Sequence, residues 1–223
     1  GHRLPYAWNP GYGARVGILP LEGQPEQVQW FDVENCYVFH PVNARDDGER
    51  VIIDVARHPR MFDTDRHGPD EGPPSIWRWT FDRSTGSTHE EQVDDRPIEF
   101  PRVDERRVGR RHRFSWGVQL GYTSDELQWP SADLVRYDAD RKVSETVSFG
   151  SDRSVGEAVF VPRTPDAAED DGWYLALVND QREDTSELVV LDASAPTEDP
   201  VARVHIPARI PLGFHVNWIP TTP

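Results

Sequence analysis

The stretch Cys36-Tyr37-Val38-Phe39-His40-Pro41-Val42-Asn43-Ala44 places a histidine directly after residues that favour β-structure. Because Tyr, Val and Phe are enriched in strands, the run before His40 predicts a short strand. Proline cannot donate a ladder hydrogen bond, so Pro41 is predicted to end that strand directly after the histidine. The end of a rigid strand holds a metal ligand well. His40 is therefore the first candidate ligand in the chain.

Three further polar residues lie in apolar stretches that end in proline: Glu99 in 97–101, Glu157 in 156–162 and His215 in 210–220. From His40 onward, the four residues are separated by 59, 58 and 58 positions. Each is predicted to lie on an apolar strand. A constant interval of this length is typical of repeat architectures, in which every unit sends one residue to a common centre.

Each of these residues also has a simpler interpretation. A strand histidine commonly bonds a backbone carbonyl, and a glutamate commonly pairs with one of the many arginines of this chain. Two glutamates 58 residues apart are also compatible with the acid and base of a propeller glycosidase. The two histidine motifs argue against a glycosidase, since that hydrolysis needs neither histidine nor a metal.

Composition limits the class of protein. The 223 residues carry a formal net charge of −15, which argues against a nucleic-acid partner because such a surface needs a basic patch. One cysteine excludes an internal disulfide and fits a reducing compartment. No apolar run has the length of a membrane span. We expect a single domain over 1–223, in a cytoplasmic protein whose contact with a membrane is at most peripheral.

The pattern of strands and turns predicts an all-β chain. The clearest unit is Ile76–Asp82, which alternates at period two and is followed by the turn Arg83–Gly86 and a second strand over Ser87–Val93. Weaker copies of this unit occur at 134–143 and 188–194. Further strands are predicted at 14–19, 28–33, 51–56, 114–122 and 172–178, and polar loops at 58–75, 102–113 and 164–171. Repeated hairpins of this kind build propeller blades, so we expect about four blades.

The remaining reactive side chains have ordinary settings in the sequence. Cys36 adjoins an aromatic strand and is predicted to be a small core residue rather than a nucleophile. The other histidines in loops or polar strands are predicted to be solvated: His58, His67, His89, His112 and His205.

Several long motifs resemble the carotenoid cleavage oxygenases, the family that includes lignostilbene dioxygenases and the retinal-pigment isomerase. They are L-P-Y-A-W-N-P-G-Y-G-A-R-V-G (4–17), W-F-D-V-E-N-C-Y-V-F-H-P-V-N-A (30–44), E-F-P-R-V-D (99–104), G-E-A-V-F-V-P-R (156–163), E-D-D-G-W (169–173) and G-F-H-V-N-W-I-P (213–220). They occur in the family's order and cover nearly the whole chain. The resemblance is to the C-terminal part of the family domain.

The resemblance implies part of a seven-bladed β-propeller with a non-haem Fe(II) held by four histidines. His40 matches the third ligand and His215 the fourth, while Glu99 and Glu157 match glutamates that bond the outer nitrogens of the ligand histidines. Chain order suggests that Glu99 pairs with His40 and Glu157 with His215. The implied reaction adds both atoms of O₂ across a C=C bond of a hydrophobic conjugated substrate, a carotenoid, apocarotenoid or stilbene, without an organic cofactor.

The chain departs from the family pattern in two ways. It has no match for the first two ligand histidines or for the third glutamate, which the resemblance places in blades before residue 1. Those blades would come from a longer protein or from a complementary N-terminal chain; otherwise the chain is a truncated, non-catalytic propeller fragment that acts as a binding or assembly module. In addition, Val216 follows His215 where the family usually has glycine, which narrows the space beside the ligand.

Overall fold

The structure, a computed structural model, describes residues 4–66, 71–123, 126–211 and 213–221. Within these residues the chain forms fifteen strands and two short 3-10 helices at Pro25–Gln27 and Glu105–Arg107. The strands are β1 Ala14–Ile18, β2 Gln29–Val33, β3 Tyr37–Asp47, β4 Arg50–His58, β5 Ser75–Asp82, β6 Ser87–Asp94, β7 Ile98–Val103, β8 Phe114–Thr123, β9 Glu126–Asp138, β10 Val143–Ser148, β11 Arg153–Val155, β12 Val159–Pro162, β13 Gly172–Asp180, β14 Thr185–Asp192 and β15 Ala202–Ile206. No helix among the described residues is both long and apolar enough to cross a bilayer.

The chain forms two compact units: Gly1–Pro97 with Tyr122–Leu127, and Ile98–Gly121 with Gln128–Pro223. The prediction of one domain over the whole chain stays a prediction. In the first unit β1 pairs with β2, and β3 to β6 form an antiparallel meander. In the second unit, β7 to β10 form another antiparallel meander. The last sheet has the order β11-β13-β14-β15, and β12 also pairs with β13, beside β11 along the same edge.

Aromatic side chains form the core of each unit. In the first, Phe31 of β2 packs against Phe81 of β5 at 5.1 Å between ring centroids, and this contact joins the small sheet to the meander. In the second, the rings of Trp116, Phe160 and Tyr174 contact one another and join β8 to β12 and β13. Trp116 also donates a hydrogen bond from Nε1 to the Ala158 carbonyl at 3.0 Å. Such buried rings dominate core energetics, at about 1.5–3 kcal/mol for a fully buried side chain.

The turn after the next-to-last strand recurs in all three larger sheets. It follows β5, β9 and β14, which are the hairpin positions predicted from the sequence. In the first two, the residue four positions after the aspartate has positive φ and donates its N–H to the aspartate carbonyl: Gly86 to Asp82 and Lys142 to Asp138. The predicted repeat is therefore visible as a repeated turn. In the third sheet, a longer connection separates β14 from β15.

Three sequence expectations about strands were wrong. Pro41 does not end its strand, because β3 continues to Asp47 and accommodates the proline at a register shift on an edge strand. Glu157 lies in the break between β11 and β12 rather than on a strand. The described residues of 207–221 form no strand around His215, and three prolines there (Pro207, Pro211 and Pro220) remove backbone donors from any ladder.

Candidate metal centre

His40, Glu99 and Glu157 occupy corresponding places in the three larger sheets. His40 lies on β3 and Glu99 on β7, the first strands of their sheets, and Glu157 lies where the first strand of the third sheet is interrupted. His215 follows β15, the last strand of that third sheet. From His40 to Glu157, the interval of 58 or 59 residues therefore reflects one structural repeat, while the common centre stays a prediction.

A β-bulge or a break interrupts the first strand at or directly beside each of these three residues. Val38 pairs with Arg57 and Pro41 with Val55, so Phe39 and His40 lie opposite the single residue Ala56. Bulges bend a strand and redirect the side chain at the extra residue, and they are common beside active sites.

The second and third sheets repeat this arrangement. Glu99 pairs with Val118 and Arg102 with Trp116, which leaves two residues opposite Gly117. In the third sheet, 156–158 lie opposite only two residues of β13. The same irregularity therefore occurs at each predicted site residue that lies on or beside a first strand.

Gly117 is required by the bulge at Glu99. A Cβ built there would lie 2.6 Å from Ile98 Cγ2 and 2.9 Å from the Glu99 carbonyl oxygen, distances that real Cβ atoms essentially never show. On the bulged strand, Phe100 has a φ of 52°, and its N–H donates to Glu99 Oε2 at 2.9 Å. Glu99 itself is 4% exposed. A tight backbone approach therefore fixes the position of this buried carboxylate.

His215 lies beside Glu157, as chain order suggested. The distance from His215 Nδ1 to Glu157 Oε1 is 3.3 Å, and the carboxylate side chain is only 3% exposed, whereas that of His215 is 60% exposed. The other oxygen, Oε2, accepts hydrogen bonds from the Val216 N–H at 2.9 Å and from Arg102 Nη1 at 2.8 Å. A buried, hydrogen-bonded carboxylate thus faces Nδ1 of an exposed imidazole, the nitrogen that the resemblance leaves away from the metal.

Aromatic rings flank both histidines. The Phe100 ring lies 6.0 Å from the His215 ring in an edge-on orientation and 6.3 Å from Phe214. The Phe39 ring lies 6.4 Å from the His40 ring. It also packs edge-on against His58 at 5.2 Å. Both candidate ligands therefore have an apolar face beside them.

The donor chemistry fits Fe(II), although the ligand set in this part of the chain is incomplete. Imidazole suits that ion, and a carboxylate on one ring nitrogen directs a metal to the other, which for His215 would be Nε2. Among the residues that the structure describes, no group of three or more His, Cys, Asp or Glu side chains is placed to hold a metal ion. Glu99 and His40 belong to different units, so their suggested pairing stays a prediction.

Two cavities in the first unit are lined by residues that the structure describes. One of about 690 Å³ is lined by residues of β1, β2 and β3 with Trp79, and one of about 410 Å³ is lined by aromatic residues that include Tyr6, Tyr37 and Phe62. Cys36 lines both cavities. Cys36 was predicted to be a small core residue; it is half-buried and packs against the core of the first unit. Burial raises the pKa of its thiol to about 11, so it stays protonated at neutral pH.

Sequence reasoning misjudged two groups beside the candidate ligands. His58 was predicted to be solvated but is 2% exposed and packs against Phe39. His112 was also predicted to be solvated and is buried. His89 and His205 are exposed, as predicted, and His67 lies outside the described residues. Arg102 was not singled out, although it is three residues after Glu99 and contacts Glu157. Its place in the E-F-P-R motif was the available signal.

Known proteins similar to this chain were found by sequence and by structure. A family model described as retinal pigment epithelial membrane protein matches residues 2–220. A carotenoid cleavage oxygenase from Mycobacterium tuberculosis is 45% identical over 231 residues, covering 100% of this chain and 46% of that protein. An isoeugenol monooxygenase from Pseudomonas putida is 33% identical, covering 96% of this chain and 48% of that protein. The chain thus spans about half the length of the curated relatives it matches.

A crystal structure of cobalt-substituted apocarotenoid oxygenase from Synechocystis superposes with a TM-score of 0.86 and 28% identity, over 96% of this chain and 45% of that one. This likeness confirms the predicted fold class, an all-β chain that is part of a β-propeller. With the family match over nearly every residue, it confirms the resemblance drawn from the motifs. The chain belongs to the retinal pigment epithelial membrane protein family, which includes carotenoid cleavage oxygenases.

Proposed function

We propose that this chain is part of a non-haem Fe(II) dioxygenase that cleaves a conjugated C=C bond. The observation that carries the proposal is the contact between His215 and Glu157. A carboxylate that bonds one ring nitrogen fixes the orientation and tautomer of the imidazole, as is usual for metal-bound histidines. The solved relative that was crystallised in a cobalt-substituted form supports a metal at this centre.

The names of the relatives support the substrate class. One is a carotenoid cleavage oxygenase and another an isoeugenol monooxygenase, and carotenoids and isoeugenol share a conjugated C=C bond. For this chain we propose a carotenoid, apocarotenoid or stilbene-type substrate and O₂. The C=C bond and the O=O bond break, and two C=O bonds form, so the products are two carbonyl compounds with no other co-reactant.

Each residue has a distinct role in this proposal. His40 and His215 are the ligands that this chain would contribute. Glu157 accepts a hydrogen bond from His215 Nδ1–H, which directs Nε2 to the metal. Glu99 is the corresponding carboxylate of the second sheet. When bound, the ion supplies the site at which O₂ is activated. The aromatic rings of Phe39 and Phe100 lie beside His40 and His215 and give each histidine an apolar neighbour.

Product analysis tests the proposal. The chain is loaded with Fe(II) without air and supplied with substrate and ¹⁸O₂, alone and fused to the portion of the mycobacterial relative that it does not match. We expect the fusion to release two carbonyl products that each carry one ¹⁸O. His215→Ala should abolish cleavage, while His205→Ala, an exposed histidine on β15, should not. An iron-loaded fusion that cleaves none of these substrates would contradict the proposal.

A second candidate is a non-catalytic binding or assembly module. The two cavities of the first unit favour it, since volumes of about 690 and 410 Å³ lie in the range of small-molecule sites. This module would need a complementary chain or segment for its missing blades and would bind no iron. We propose no nucleic-acid partner, because the net charge is −15. Any contact with a membrane would be peripheral, and we propose a cytoplasmic location.

A further inference from the structure

Arg102 connects the candidate centre to the irregular C-terminal segment. It lies on β7 directly after the bulge at Glu99. Its Nη1 contacts Glu157 Oε2 at 2.8 Å and the Val216 carbonyl oxygen at 2.9 Å. Its Nη2 contacts the carboxylate of Glu105. One guanidinium therefore bonds two carboxylates and the backbone carbonyl of the residue after His215.

The contacts hold both backbone groups of Val216. Its N–H donates to Glu157 Oε2 at 2.9 Å, and its carbonyl accepts from Arg102 Nη1 at 2.9 Å. Glu157 and Arg102 are themselves paired. The backbone on the C-terminal side of His215 is thus fixed between the two members of one ion pair, which we call the Val216 clamp.

The surrounding segment is not held by strand pairing in its described residues. The described residues of 207–221 form no strand, and neighbouring apolar side chains are largely exposed, with Phe214 at 75% and Ile219 at 81%. By contrast, the side chains of the clamp are 15% and 3% exposed for Arg102 and Glu157. The Ile210 N–H also donates to the Ser186 hydroxyl at 2.8 Å, but the clamp contacts are charge-assisted and buried, which makes hydrogen bonds strong.

We propose that Arg102 is the positioning residue for His215. It acts through two connections: it holds the Val216 carbonyl, and it fixes the carboxylate whose other oxygen faces His215 Nδ1. The role of His215 rests on the proposed function, but the clamp is a property of this chain whether or not a metal binds. Loss of Arg102 would leave Glu157 as a buried charge without its cationic partner, which destabilises the local arrangement.

The direct test is hydrogen exchange of the Val216 amide, measured by NMR on the metal-free 223-residue chain. We expect Arg102→Gln to speed exchange of this amide by about tenfold or more, which corresponds to about 1.4 kcal/mol, because charge-assisted contacts on both sides of Val216 are weakened. The matched control is Arg106→Gln. Arg106 forms a similar pair with Asp104, which is 2% exposed, and it should leave the Val216 amide unchanged.

A second readout reports on the imidazole itself. The ¹⁵N shifts of the His215 side chain distinguish the two neutral tautomers of its ring. We expect the Nδ1–H form to dominate in the parent chain and in Arg106→Gln, and a mixture in Arg102→Gln. A residue that only stabilised the fold would not move this ratio in a folded variant.

Every outcome decides the proposal. Equal exchange at Val216 in Arg102→Gln and Arg106→Gln, with unchanged tautomers, would overturn it. If Arg102→Gln does not fold, Arg102→Lys is compared with Arg106→Lys: faster exchange only in the first supports the clamp, and no difference overturns it. If the chain shows the exchange effect but never binds iron, the proposal for Arg102 stands and only the proposed function is refuted.

Discussion

Aspartates end the next-to-last strand of each larger sheet and bond the turn that follows. Asp82 Oδ1 accepts hydrogen bonds from the Ser84 hydroxyl at 2.6 Å and from the N–H groups of Ser84 and Thr85. Asp192 accepts from Ser194 in the same way. The Ser84 hydroxyl, followed by the Thr85 N–H, lowers the pKa of Asp82 from 3.8 to about 2. These turns are therefore held by ionised carboxylates.

Removing the Ser84 hydroxyl should bring the pKa of Asp82 back toward its ordinary value. In Ser84→Ala we expect the pKa of Asp82 to rise from about 2 toward 3.8, because its strongest hydrogen bond is lost. The folded-state pKa lies below the unfolded value, so the contribution of Asp82 to stability is present above the unfolded pKa and disappears as pH falls toward about 2. A ¹³C titration of the side-chain carboxyl measures the shift.

Ser194→Ala is the control, and it should raise the pKa of Asp192 while leaving that of Asp82 in place. An unchanged Asp82 pKa in Ser84→Ala would show that the hydroxyl does not stabilise the ionised form.

At the level of elements, the bulges decide where the candidate residues lie. In the second sheet the bulge requires glycine at position 117, because a Cβ there would meet the Glu99 carbonyl oxygen at 2.9 Å. Gly156, beside Glu157 in the third sheet, has nothing within 4 Å of the corresponding position. The two glycines therefore differ in what an added methyl group would do.

Gly117→Ala should destabilise the chain, and Gly156→Ala should not. Overpacking of this kind costs about 1–3 kcal/mol of the free energy of unfolding, whereas a change in open space typically stays within about 0.5 kcal/mol. Urea denaturation followed by tryptophan fluorescence compares the two variants. Equal midpoints would mean that the backbone at Glu99 adjusts freely and that the close approach does not fix its carboxylate.

The strands could be predicted from the sequence where alternation is regular, but the bulges could not. The strand and turn at 76–86 follow from period two and from the turn residues, and β1, β8 and β13 were predicted closely. A bulge adds one residue, and whether the strand continues past it depends on the partner strand. The sequence around Pro41 does not show this partner, so the strand was predicted to end there. The contact of Arg102 with Glu157 joins residues 55 positions apart, and local patterns do not encode it.

For the molecule as a whole, the spacing of candidate residues was the most informative signal. His40, Glu99 and Glu157 could be placed in successive repeats because each lies on or beside the first strand of a sheet. The irregular segment around His215 was misread as a strand, since its apolar residues resemble one while its prolines prevent pairing. Its exposed side chains, including Phe214, Trp218 and Ile219, fit the proposal that further blades complete the centre.

The iron content of the protein tests the central claim most directly. The chain and its fusion with the unmatched portion of the mycobacterial relative are loaded with Fe(II) without air, desalted and analysed for bound metal. We predict stoichiometric iron in the fusion, its loss in His40→Ala and in His215→Ala, and its retention in the His205→Ala control. A folded fusion that holds no iron, or that keeps it when either candidate ligand is removed, would contradict the account.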